Sequence, residues 1–233
     1  MNNWLNIIQN KLLPPRCILC DSPGLTVFDL CQACYAELPR NLNCCRQCGA
    51  RLSVETTTDL ICGQCLEYAP GFDTAFIPYL YQGGVRHLIT RLKFNQQYKN
   101  ARLLADLLLT SRLESQPDQP QCLIPVPLHP KRYQERSFNQ SIEIGRHLAR
   151  QLQIPLSLDH CLRIRDTPHQ TELNARQRQQ NLQQAFAIKQ PLPYQHIAII
   201  DDVVTTGTTA SILAKTLKHH GVSRVDIWAC ART

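Results

Sequence analysis

Four Cys-x2-Cys pairs within the first 65 residues constrain this chain more than any other feature of its sequence. Ten, ten and thirteen residues separate them, and the pairs are Cys17/Cys20, Cys31/Cys34, Cys45/Cys48 and Cys62/Cys65. A Cys-x2-Cys turn directs two thiolates at one ion, and Zn²⁺ is bound tetrahedrally by four such ligands. Eight thiolates in this spacing therefore predict two structural zinc sites, each with four cysteine ligands.

Two other uses of paired cysteines are less consistent with the sequence. A disulfide framework is typical of short exported chains. Polar residues interrupt the apolar start at Trp4–Ile8, so this segment does not have the continuous apolar run of a signal peptide. A redox pair would be single and would precede a helix. Cys44 offers an alternative spacing to Cys48, and we assign Cys45 as the ligand. The spacing leaves open whether the pairs combine in order or crosswise, and combination in order is the simpler expectation.

Length and charge limit the class of protein. A chain of 233 residues with 43% hydrophobic residues suffices for one full domain and a small module, and it contains no apolar run of about 18 residues. We therefore expect a soluble, cytoplasmic protein without a membrane span. The formal charge of +7 falls to about +3 once eight thiolates bind two Zn²⁺. Net charge alone thus gives no argument for nucleic-acid binding.

The pattern changes after Pro70-Gly71 from cysteine pairs to alternating strands and helices. We expect residues 1–70 to form an N-terminal helix and the double zinc module, and residues 71–233 to form an α/β domain with a mostly parallel sheet. The predicted strands are 74–81, 122–126, 160–164, 185–188, 196–200 and 224–230. The predicted helices begin near residues 84, 98, 137 and 208.

The segment from Ile197 to Thr209 carries the strongest functional signal. Its apolar run predicts a strand buried on both faces, and Asp201 and Asp202 follow at the carboxyl edge, where open α/β sheets bind ligands. The turn from Thr205 to Thr209 supplies hydroxyls, main-chain N–H groups and a glycine at a helix N-terminus, which suits a phosphate. An ionised Asp side chain only accepts hydrogen bonds, and ribose hydroxyls can donate them. A ribose 5-phosphate is the predicted ligand, and the alternative is that Asp202 caps the helix while Asp201 is solvated.

The sequence Ile199-Ile200-Asp201-Asp202-Val203-Val204-Thr205-Thr206-Gly207-Thr208-Thr209 resembles the phosphoribosyl pyrophosphate (PRPP) loop of type I phosphoribosyltransferases. Within that superfamily, nearly the whole chain resembles the ComF/GntX proteins, which join a zinc module to a phosphoribosyltransferase domain and are associated with competence and DNA uptake. The resemblance implies an α/β fold of type I phosphoribosyltransferase kind behind a small zinc-ribbon-like module with four cysteines per zinc.

Further motifs extend the resemblance. Leu92-Lys93-Phe94, Ile124–His129 and Glu135–Gln140 are similar to family motifs, and the last of these resembles a pyrophosphate-binding loop in which Ser137 replaces the usual glycine. The implied catalytic residues are Asp201, Asp202 and Arg136. The implied PRPP ligands are Asp201, Asp202, Val203, Val204, Thr205, Thr206, Gly207, Thr208, Thr209, Lys131, Arg132, Arg136 and Lys93. Cations and Mg²⁺ suit a pyrophosphate leaving group.

The polar stretch from Asp166 to Gln184 is long for a loop in a compact domain, so we expect either an exposed helix or a mobile lid. It resembles the family segment placed where phosphoribosyltransferases carry a flexible loop. Its arginines allow two roles, closure over PRPP or contact with a nucleic-acid backbone. Arginines of this region are Arg163, Arg165, Arg176 and Arg178.

Two functions follow from this resemblance. In the first, the protein is a Mg²⁺-dependent phosphoribosyltransferase of DNA uptake, with an acceptor that the sequence does not identify. In the second, it is a non-catalytic module that binds PRPP, a nucleotide or single-stranded DNA, while its zinc module docks a partner such as a DNA-uptake helicase or another competence protein. A sensor of PRPP is a third, weaker interpretation.

Overall fold

The computed structural model describes residues 15–25, 28–53, 60–95, 97–115, 118–136, 138–165 and 185–233. The predicted N-terminal helix and the predicted lid at 166–184 lie outside the described residues. The side chain of Arg136 also lies outside them.

Helices and strands follow the order that the sequence predicts. The helices are α1 (Gln32–Ala36), α2 (Gly63–Glu67), α3 (Gly83–Asn95), α4 (Tyr98–Ser115), α5 (Pro130–Arg136), α6 (Gln140–Leu152) and α7 (Thr208–His219). The strands are β1 (Thr74–Phe76), β2 (Tyr79–Leu80), β3 (Cys122–Pro125), β4 (Cys161–Arg163), β5 (Phe186–Ile188), β6 (His196–Val204) and β7 (Arg224–Arg232). None of the described helices is long and apolar enough to cross a bilayer. Helix α5 is an addition, because the sequence indicates only a basic turn there.

A five-stranded parallel sheet forms the centre of the molecule, as predicted. Its order is β1-β7-β6-β3, and β2 also pairs with β7. Pro78 separates β1 from β2, because proline has no N–H to continue the ladder, and the two short strands lie at the edge of the sheet. Strands β4 and β5 form a separate antiparallel pair. The parallel arrangement brings the carboxyl ends of β3, β6 and β7 to one edge.

Each face of this sheet packs on its own apolar cluster. On one face, α3, α4 and α6 cover side chains that include the fully buried Trp228. On the other, α7 covers Ile197, Ile199 and Ile227. Strand β6 is therefore enclosed on both faces, which explains its continuous apolar run.

The cysteine-rich segment packs directly against this α/β core. Leu30, which is fully buried, belongs to the same apolar cluster as α3 and α4. Arg40 donates hydrogen bonds to Ser111 Oγ (3.0 Å) on α4 and to Tyr35 OH (2.9 Å). Asn41 donates through Nδ2 to the main-chain oxygen of Ile77, between β1 and β2. The predicted boundary between residues 70 and 71 stays a prediction, and these contacts join the segments on either side of it.

Gly71 contacts helix α7 directly, just after the cysteine-rich segment. Its N–H donates to Ser211 Oγ at 2.9 Å. A Cβ at this position lies 2.3 Å from the main-chain oxygen of Ser211 and 2.5 Å from Lys215 Cγ. Only glycine fits at this distance from helix backbone.

We expect Gly71→Ala to lower the free energy of unfolding by about 1–3 kcal/mol, because the new methyl group forces the chain away from α7. Chemical denaturation measures the change. Gly63→Ala is the matched control, since a Cβ at Gly63 meets nothing within 4 Å and the change should stay within about 0.5 kcal/mol. Equal stability of the two variants contradicts the prediction.

Candidate ligand site and metal centres

Two clusters of four cysteines lie in the N-terminal segment, and both form from the predicted pairs. The first contains Cys17, Cys20, Cys31 and Cys34, and the second contains Cys45, Cys48, Cys62 and Cys65. Within each cluster the four Sγ atoms lie within 4.8 Å of one another. The pairs therefore combine in sequence order, as expected.

The sulfur geometry fits tetrahedral zinc. Four Zn–S bonds of about 2.3 Å place neighbouring sulfurs about 3.8 Å apart. Cys20 Sγ lies 3.6 Å from Cys31 Sγ, and Cys48 Sγ lies 3.7 Å from Cys62 Sγ. Thiolate sulfur also accepts main-chain N–H groups here, for example from Cys62 N to Cys45 Sγ at 3.3 Å. The neighbouring Cys44 lies outside both clusters, in agreement with its assignment as a non-ligand.

Asp201 and Asp202 lie within the last part of β6, which continues through both residues to Val204. Asp202 is only 7% exposed, and its Oδ2 forms an ion pair of 2.7 Å with Lys93 Nζ on α3. Its Oδ1 accepts the N–H of Val203. A buried carboxylate without a cation is costly, so Lys93 stabilises the charged form of Asp202. Asp202 forms no cap of α7, which begins with Gly207 as its N-cap residue.

Asp201 forms no ion pair with any of the described residues and is held by hydrogen bonds instead. Its Oδ1 accepts from Ser141 Oγ (3.2 Å) at the start of α6 and from the N–H of Asp202 (2.9 Å). Burial, and next the neighbouring Asp202 carboxylate, raise the pKa of Asp201 to about 7. The pair thus contains one carboxylate in an ion pair with Lys93 and one whose pKa is raised to about 7.

The turn after β6 has the geometry of an anion site. Gly207 has φ 77°, which favours glycine, and it leads directly into the 12-residue helix α7. Thr206 and Thr208 are exposed, and their hydroxyls lie 2.8 Å apart. A small open pocket lies here, lined by Asp201, Val203, Val204, Thr205, Thr206, Gly207, Thr208, Thr209 and Ala210. Hydroxyls, main-chain N–H groups and the positive end of the helix dipole therefore meet in one pocket with Asp201.

The predicted pyrophosphate cations lie on the next helix along the same edge. Lys131 is exposed and Arg132 is partly exposed on α5, which follows the carboxyl end of β3. Strand β3 pairs with β6, so the strand that leads into α5 lies beside the strand that ends at the pocket. The structure does not describe the side chain of Arg136.

Ser141 is a site residue that the sequence analysis missed. Asn139 caps α6 by accepting the N–H of Ser141, and its Nδ2 donates to the main-chain oxygen of Val126 after β3. This cap fixes the start of α6 beside Asp201. The available signal was the position of Ser141 directly after the Glu135–Gln140 motif.

Comparison with known proteins gives a domain family for the zinc module and a protein family for the chain. Residues 8–66 match the double zinc ribbon domain family. Competence protein F of Haemophilus influenzae is 33% identical over 225 residues, which cover 93% of this chain and 96% of that protein. The chain belongs to the competence protein F family. Another relative in this family, the DNA utilization protein YhgH of Escherichia coli, is 33% identical over 226 residues, or 95% of this chain and 98% of that protein.

The competence protein F family match extends through the ligand pocket as well as the zinc ribbons, because it covers more than nine-tenths of the chain. The double zinc ribbon match includes all eight cysteines of the two clusters. Two zinc-binding cysteine clusters are thus supported by geometry and by similarity.

We expect the purified protein to contain two zinc ions per chain by elemental analysis. Cys45→Ser should remove one ion and lower the melting temperature, because a structural site contributes its binding energy to folding. Cys44→Ser is the matched control one residue away and should retain both ions. Zinc loss in both variants, or in neither, contradicts the assignment of the second cluster.

Proposed function

We propose that this protein binds PRPP with Mg²⁺ and transfers its phosphoribosyl group to an acceptor, with release of pyrophosphate, in a process of DNA uptake. The observation that carries the proposal is the pocket in which Asp201 adjoins the turn of Thr205 to Thr209. A carboxylate and an anion-binding turn in one pocket suit a ligand that has both hydroxyl groups and a phosphate.

In this proposal the turn holds the 5-phosphate of PRPP. Gly207 in a left-handed conformation lets the main chain approach the phosphate, and the threonine hydroxyls complete the set of donors. Asp201 accepts the ribose hydroxyls. Asp202 supports this arrangement through its ion pair with Lys93, so that only one unpaired carboxylate faces the ligand.

The residues at this edge also fit a bound Mg²⁺. Mg²⁺ prefers carboxylate, phosphate and water oxygens. The pKa of Asp201 is raised first by burial and next by the neighbouring Asp202 carboxylate, and a divalent ion would offset the negative charge of this pair. When bound, Mg²⁺ would offset part of the negative charge of the pyrophosphate. Lys131, Arg132 and Arg136 of α5 are the protein cations that we assign to the same leaving group.

Transfer then follows from charge development at C1 of the ribose. The electron pair of the C1–O bond leaves with pyrophosphate, an acceptor lone pair forms the new bond to C1, and the proton lost by the acceptor passes to solvent. The carboxylate of Asp201, supported by the buried Asp202, stabilises the positive charge that develops on the ribose. Fixed charges in a partly dehydrated site are more effective than the same charges in water.

The biological setting is proposed from the relatives. One relative is named for competence and others for DNA utilization, which supports a role in DNA uptake here. Single-stranded DNA and the proteins that transport it, including a helicase, are the partners that this role suggests.

A non-catalytic binding module is the second candidate. Several apolar side chains around the second cysteine cluster are exposed, which suits a docking surface for a protein partner. They are Leu42 (82% exposed), Leu60 (38%), Ile61 (42%), Leu66 (74%) and Tyr68 (76%). In this version the pocket binds PRPP or a nucleotide without transfer.

Calorimetric titration of PRPP with Mg²⁺ tests the site. We expect the wild-type protein to bind and the double variant Asp201→Asn, Asp202→Asn to lose at least tenfold in affinity, because amides replace the acceptors of the ribose hydroxyls. Pyrophosphate release that requires an added acceptor identifies an enzyme, whereas binding without release identifies the non-catalytic module. Absence of PRPP binding in the wild-type protein rejects the transferase, and absence of nucleotide binding in the same titration also rejects the non-catalytic module.

The raised pKa of Asp201 predicts a pH dependence. Only the ionised carboxylate accepts both ribose hydroxyls, so affinity for PRPP should fall by about tenfold per pH unit once the pH is well below the pKa of about 7. PRPP and Mg²⁺ titrate too, and Asp201→Asn measured in the same buffers corrects for them. A pH profile that is unchanged in Asp201→Asn argues against this role of Asp201.

A further inference from the structure

Arg232 is a buried cation without a matching anion at the carboxyl end of the sheet. It is 7% exposed, and its Nη1 donates to the main-chain oxygen of Val204 at 3.0 Å. Its Nε is buried and has no hydrogen-bond partner. Within the described residues, no carboxylate forms an ion pair with it. A guanidinium offers five N–H donors, so most of its binding capacity is unused.

The other buried charged residues in the described parts of the chain are compensated. Asp202 pairs with Lys93, and Asp226 pairs with Arg224 at 3.1 Å. Arg112 lies 3.8 Å from the centre of the Trp228 ring, and it donates to a main-chain oxygen. A buried charge without a partner lowers the stability of the fold. A charge of this kind therefore indicates a position where a ligand supplies the missing partner.

The position of Arg232 relates it to the proposed site. In the sheet register Arg232 is paired with Val204, the last residue of β6 before the threonine-glycine turn. In the sheet, β6 lies between β7, which ends at Arg232, and β3, which leads into α5. A ribose held over the end of β6 would therefore lie between the end of the strand that carries Arg232 and the end of the strand that leads into α5.

In the proposed transfer, the leaving group and the acceptor lie on opposite sides of the anomeric carbon. In a single displacement at the anomeric carbon, the entering group attacks the face opposite to the leaving group. If the cations of α5 hold the pyrophosphate, the acceptor enters from the β7 side. The buried cation on that side is Arg232.

We infer that Arg232 recognises an anionic oxygen of the phosphoribosyl acceptor. This inference rests on the proposed function and adds to it a class of substrate: an acceptor that carries a carboxylate or an equivalent anion close to its reacting atom. Arg232 binds and orients this acceptor through charge-assisted hydrogen bonds, while the Val204 oxygen fixes the guanidinium.

Two pairs of small probes, each an anion with its neutral analogue, test the inference. Orotate is compared with uracil, and benzoate with benzamide, by ligand-observed NMR titration. Ribose 5-phosphate and Mg²⁺ are present, so that the ribose site is filled and no transfer takes place. We expect the wild-type protein to prefer the anion at least tenfold in one or both pairs, and Arg232→Gln to reduce this preference below about threefold.

Two further variants separate recognition from structure. Arg232→Lys keeps the charge and should keep part of the preference, which also guards against misfolding of Arg232→Gln. Arg112→Gln removes an equally buried arginine (7% exposed) of helix α4, which stacks on Trp228 in the middle of β7, and should leave the preference unchanged. Circular dichroism confirms that each variant is folded.

The outcomes distinguish this inference from the proposed function. No anion preference in the wild-type protein for either pair, or a preference that survives in Arg232→Gln, overturns the role of Arg232. A loss of PRPP affinity of tenfold or more in Arg232→Gln also overturns it, because Arg232 is then part of the PRPP site. Failure of the wild-type protein to bind PRPP rejects the proposed function, and the probe titrations without ribose 5-phosphate then still report on Arg232.

Discussion

The parallel pairing of β6 with β3 and β7 is the interaction on which the rest of the structure depends. It covers both edges of β6 while helices cover both faces, so the strand cannot shift without exposing one of two cores. It also holds two carboxylates at the end of a buried strand, where their charge needs compensation. Lys93 forms an ion pair with Asp202, whereas Asp201 accepts hydrogen bonds and has a raised pKa. The same register places Arg232 beside the turn.

The sequence predicts those features that depend on local spacing. The cysteine pairs indicate both clusters, because four ligands around zinc require short turns of this kind. The apolar run of Ile197 to Ile200 predicts a strand buried on both faces, and helical periodicity predicts α3 and α7. Asp201, Asp202 and the following turn were found because they are neighbours in the sequence and remain neighbours in the pocket.

Features that depend on distant partners could not be predicted. Lys93 was expected to contact PRPP, and no sequence pattern showed its ion pair with Asp202, more than 100 residues away. Ser141 and Arg232 carry no motif of their own, and their significance arises from burial and from the order of strands in the sheet. Periodicity reports which face of an element is buried but not which element covers it.

The packing of the zinc ribbons makes them part of the environment of the ligand pocket. Gly71 contacts Ser211 one turn after α7 begins at the pocket, and Cys48 of the second cluster packs against the apolar cluster that α7 covers. Buried cores transmit displacement because they are densely packed. We therefore expect a change in the second ribbon, such as loss of zinc, to displace the helix whose N-terminus lines the pocket.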